Sequence, residues 1–84
     1  MKITFADAAY DIVGLNNGIA GIKCWTDEAT PRELRFHITR TWMDNNGWDT
    51  SPGLVRALEE RRADLLPMAQ DAFRRGSVLV NLVA

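Results

Sequence analysis

Two alternating segments, Ile19 to Thr26 and Glu33 to Thr39, flank the polar stretch Asp27-Glu28-Ala29-Thr30-Pro31-Arg32, and they restrict the fold more than any other feature of the chain. A period of two puts successive side chains on opposite faces of a strand, so the pair predicts a β-hairpin with one buried face. Ala20, Ile22 and Cys24 belong with Leu34, Phe36 and Ile38 on that face, which requires opposed residues whose numbers share parity. A pairing centred near Thr30 meets the condition. It sets Cys24 opposite Phe36, Ile22 opposite Ile38, Trp25 opposite Arg35 and Lys23 opposite His37. The last four are the candidate interface: an outer face with an aromatic ring, two cations and the single histidine of the chain.

Around the hairpin, Lys2 to Phe5 predicts a short strand, and Asn16-Asn17-Gly18 a turn leading into the hairpin. Thr39 is expected to cap one or two helical turns over Arg40 to Asn45. Asn46-Gly47 ends them, with Gly47 left-handed and Trp48 folding back on Met43 or Trp42. Thr50-Ser51-Pro52 carries a helix-start pattern, with Ser51 as cap and Pro52 in the first turn, and this helix is expected to run to about Arg61 on a stripe of Leu54, Val55 and Leu58. Pro67 would cost about 3 kcal/mol inside a continuous helix, so a restart is expected, capped by Asp64. The restarted helix buries Leu65, Leu66, Ala69, Ala72 and Phe73 and ends at Gly76. Arg56 with Glu60 and Asp71 with Arg75 have ion-pair spacing. The β-branched run from Ser77 to Val83 returns as a strand. The fold class is α+β: a small antiparallel sheet of N-terminal strand, hairpin and C-terminal strand, packed against two or three helices as one domain over residues 1–84.

At 84 residues a second core has no room. Ten basic against eleven acidic residues give a net charge of −1, which selects no anionic partner. One cysteine makes no intrachain disulfide. The N-terminal residues lack the basic-then-apolar pattern of an export signal, and no apolar run reaches the roughly 20 residues of a membrane span, so a cytoplasmic protein without membrane contact is expected.

Cys24 and His37 have the residue types of a nucleophile–base dyad, but their parity puts them on opposite faces of the hairpin. Cys24 is expected buried and inert. Asp44, Asp49 and His37 have no recognised metal spacing, and no glycine-rich phosphate motif occurs, so no catalytic residue, metal or cofactor is expected. Arg61, Arg62, Arg74 and Arg75 near the helix ends raise a helix-turn-helix alternative. The would-be recognition turn, however, is Asp64-Leu65-Leu66-Pro67, acidic and apolar where base contacts are needed. Trp and Arg on an open sheet face are the side chains most enriched at interface hot spots. The expected function is therefore a non-catalytic protein-interaction or regulatory module, self-associating as a homodimer and serving an unidentified protein partner. The alternatives are a nucleic-acid-associated transcriptional regulator and, more distantly, a small enzyme.

Ile3-Thr4-Phe5, Tyr10-Asp11, the strand-to-helix step Phe36-His37-Ile38-Thr39-Arg40-Thr41-Trp42-Met43 and the helical half from Leu54 to Val83 together resemble a small bacterial family, domain of unknown function 1488. The chain departs from that pattern between Asp11 and Gly18 and at Asn45-Asn46-Gly47-Trp48. The resemblance implies an α+β fold and carries no catalytic residues.

Overall fold

The alternating segments form the central strands of a five-stranded sheet. In this computed structural model residues 2–12, 14 and 18–83 are described. The strands are β1 (Ile3–Phe5), β2 (Tyr10–Asp11), β3 (Ile19–Thr26), β4 (Glu33–Thr39) and β5 (Leu79–Leu82). Between β4 and β5 lie α1 (Arg40–Asn45), α2 (Leu54–Glu60), a 3-10 turn (Arg62–Leu65) and α3 (Leu66–Arg74). The strand order is β1-β3-β4-β5, with β2 also paired to β3. The architecture is α+β.

Parity places the β3 and β4 side chains on the expected faces, but the register differs by two. Cys24 faces Leu34, Ile22 faces Phe36, Lys23 faces Arg35, Trp25 faces Glu33 and Gly21 faces His37. The loop closes one pair earlier than a centre at Thr30 requires. Thr26 N–H donates to the Arg32 carbonyl at 3.0 Å, Arg32 N–H donates to Thr26 Oγ1 at 2.9 Å, and the Arg32 guanidinium bonds Glu28 across the same loop at 3.0 Å. Parity fixes a face and leaves even offsets open; these loop bonds select among them.

β5 joins β4 parallel, which corrects the expectation of an antiparallel sheet. The reason lies in where α3 ends. Arg32, next to the start of β4, donates to the Phe73 carbonyl at 3.1 Å and lies 5.4 Å from the Phe73 ring centre. A chain leaving α3 there must enter the sheet beside the start of β4 and run with it, so Leu79 registers with Arg35 and Leu82 with Ile38.

The helices bury one face of the sheet. Ile22, Leu34, Phe36 and Ile38 meet Met43, Leu54, Leu58, Leu65 and Phe73, all buried, at about 1.5–3 kcal/mol for each large side chain. Thr39 Oγ1 caps α1 by accepting from Trp42 N–H at 3.1 Å. Its far end is a Schellman motif: Trp48 N–H reaches the Met43 carbonyl at 2.9 Å and Gly47 N–H the Asp44 carbonyl at 3.2 Å. Gly47 takes φ 75° to allow it, and Trp48 packs edge-on to Trp42 at 5.1 Å.

Several helix details differ from expectation. Ser51 caps nothing; its N–H and hydroxyl both donate to Asp49 Oδ1, at 3.0 and 2.7 Å. Pro52-Gly53 completes a turn, so α2 starts at Leu54 after Gly53 at φ 112°. Asp64 does not cap α3 but pairs with Arg61 at 3.2 Å, because a 3-10 turn replaces a fresh cap and delivers Pro67 into the first turn of α3. Leu66 is exposed, and on α2 Ala57 is buried while Val55 is partly so. The expected turn at Asn16-Asn17 lies outside the described residues.

Candidate functional site

With the helices on one side, the opposite face of the sheet presents three cross-strand rows. Thr4, Trp25 and Glu33 form one. Lys23, Arg35 and Leu79 form the next. Tyr10, Gly21, His37 and Asn81 form the third. All four candidate interface residues, Lys23, Trp25, Arg35 and His37, share this face. Trp25 and Arg35 do not pair directly: the two-residue offset sets Lys23 against Arg35, while Arg35 Nε bonds Glu33 Oε2 at 3.1 Å.

Like charges directly opposed across strands are destabilising, by about 0.2–1 kcal/mol. Lys23 against Arg35 is such a pair. Burial first, and the Arg35 charge second, hold the His37 imidazole below its ordinary pKa, so near neutral pH it is uncharged. The face thus offers two permanent cations, a half-buried indole and a neutral imidazole. Cations of this kind pair with carboxylates and stack on aromatic rings.

Sequence reasoning missed Tyr10, Leu79 and Asn81 on this face. The Tyr10 ring lies against Gly21: a Cβ added to that glycine would sit 2.7 Å from it. The phenol hydroxyl is buried with no hydrogen-bond partner among the described residues. The available signal was a glycine on the outer parity of an otherwise bulky strand, which marks close approach by a neighbour. Leu79 and Asn81 could have been read from the alternation within β5 once its pairing was known.

Cys24 and His37 are on opposite faces. Cys24 is fully buried, and burial, with a smaller contribution from the Glu33 carboxylate, pushes its thiol up to about 12. A thiol in that state supplies no thiolate nucleophile at neutral pH. Asp44 accepts from the Thr50 hydroxyl at 3.2 Å and Asp49 holds Ser51. Neither joins His37, and no group of three potential metal ligands gathers among the described residues.

Three of the four helix-end arginines, Arg61, Arg62 and Arg75, are engaged within the fold. Arg61 pairs with Asp64 and lies 5.8 Å from the Trp48 ring centre, and Arg75 pairs with Asp71 at 3.0 Å. Arg62 Nη1 donates to the Ala6 and Asp7 carbonyls at 2.9 and 3.1 Å. With Glu59, which accepts from Ala9 N–H at 3.1 Å, it clamps the link between β1 and β2.

No pocket was found among the described residues, and no described helix is long and apolar enough to cross a membrane. Comparison with protein-family models, curated proteins and solved structures gave no match.

Proposed function

We propose that the chain is a non-catalytic protein-interaction or regulatory module of the cytoplasm that works as a homodimer, and that Lys23, Trp25, Arg35 and His37 form the face it offers to a protein partner. One observation carries this reading: the helices cover a single face of the sheet, and the other holds two opposed cations beside a half-buried tryptophan. Glu33 already bonds Arg35 within the chain at 3.1 Å, so the charge a partner carboxylate would compensate is chiefly that of Lys23. The chemistry fits a partner segment with carboxylates and an aromatic ring. Membership of the small bacterial family resembled by Ile3-Thr4-Phe5 and the Phe36 to Met43 step belongs to the same proposal.

Less supports a nucleic-acid-associated regulator, since Arg61, Arg62 and Arg75 are spent on intrachain contacts. The test of the module reading is mass in solution against concentration. A reversible monomer–dimer equilibrium is expected; a chain that stays monomeric to high micromolar concentration overturns it.

A further inference from the structure

β5 is an edge strand, and the direction of its backbone groups follows from one hydrogen bond. Arg35 N–H donates to the Val78 carbonyl at 3.1 Å. Backbone groups alternate along a strand, so Val78, Val80 and Leu82 turn theirs toward β4, while Leu79, Asn81 and Val83 turn theirs outward. The Val80 and Leu82 side chains pack against the core. Val78 is 72%, Leu79 41% and Val83 62% exposed; among the described residues only Leu66, at 37%, is another exposed large hydrophobic. Exposed apolar surface and outward-turned backbone groups therefore coincide on one strand.

Edges of soluble proteins are blunted by charges, proline, bulges or covering elements. The opposite edge has such devices: β1 and β2 are short, interrupted at residues 6–9, clamped by Arg62 and Glu59, and carry charge at Lys2 and Asp7 beside the strands and at Asp11 within β2. The β5 segment, Gly76-Ser77-Val78-Leu79-Val80-Asn81-Leu82-Val83, has neither charge nor proline. A two-fold axis sets a strand against its own sequence reversed, and any charge near the axis would meet its like. This neutral strand meets that condition.

We infer that two copies join antiparallel through β5, with Asn81 on the two-fold axis, making one continuous sheet across the dimer. This rests on the self-association reading and locates its seam. In this register Asn81 pairs with the partner's Asn81 and Leu79 with the partner's Val83. All the outward backbone groups are then used, Leu79 and Val83 of the two copies cover each other, and the Lys23–Arg35 row of each copy stays open to a protein partner.

Four variants test the seam. Hydrogen-bonded antiparallel residues have Cα atoms about 5.5 Å apart, within disulfide range. Asn81→Cys is therefore expected to give a covalent dimer under mild oxidation, and Ser77→Cys is not. Leu79→Lys with Val83→Lys places like charges in register and is expected to raise the dimer dissociation constant about tenfold or more. Leu79→Lys with Val83→Glu places opposite charges there and restores the dimer. Both side chains are exposed, and circular-dichroism melts check that each variant is folded. If the unaltered chain dimerises while the double-lysine variant dimerises equally well, or Asn81→Cys stays unlinked, the β5 seam is overturned and the module reading stands. If the unaltered chain is monomeric, both fall.

Discussion

Lys23 and Arg35 stand directly opposite each other on β3 and β4, two cations on the face the helices leave uncovered. Replacing one of them with a carboxylate should relieve the free chain. Lys23→Glu is expected to raise stability by about 0.2–1 kcal/mol in denaturant unfolding, and to weaken capture of any partner that supplies carboxylates. A loss of stability would show that Lys23 is already compensated within the chain.

Tyr10 covers Gly21 on the same face, and a Cβ added to that glycine would lie 2.7 Å from the ring. Gly21→Ala is expected to cost about 1–3 kcal/mol, read as a shift in the denaturation midpoint. In a Tyr10→Leu background the same change should cost less, since the ring it strikes is gone. Equal costs in both backgrounds would place the penalty elsewhere.

Cys24 should resist thiol reagents until the chain unfolds. Its ordinary pKa of 9.0 is pushed up to about 12 in the fold. Above about pH 9 the unfolded thiol releases its proton while the folded one keeps it, so the unfolded state binds fewer protons and stability falls with rising pH toward 12. Below pH 9 this contribution is fully present. Comparison of pH-dependent unfolding with Cys24→Ala isolates it; identical slopes above pH 9 would contradict the account.

How far these features could be read from sequence depended on how local their causes are. The Thr39 cap, the Gly47-Trp48 helix end and the Arg56–Glu60 pair at 3.2 Å depend on residues a few positions apart, and each was legible. So was the outer-face membership of Lys23, Trp25, Arg35 and His37, because parity alone decides it. The offset of the hairpin was not, as it hangs on Arg32 N–H donating to the Thr26 hydroxyl across the loop. Nor was the direction of β5, which is set by Arg32 reaching Phe73 across the fold. Ser51 and Asp64 carry cap-forming chemistry but spend it on Asp49 and Arg61, nearer competitors that propensity does not weigh.

The account turns on self-association, and sedimentation equilibrium of the unaltered chain from low to high micromolar concentration tests it most directly. The expected result is a reversible monomer–dimer equilibrium with the dimer dominant at the upper end. A mass that remains that of the single chain throughout would contradict it.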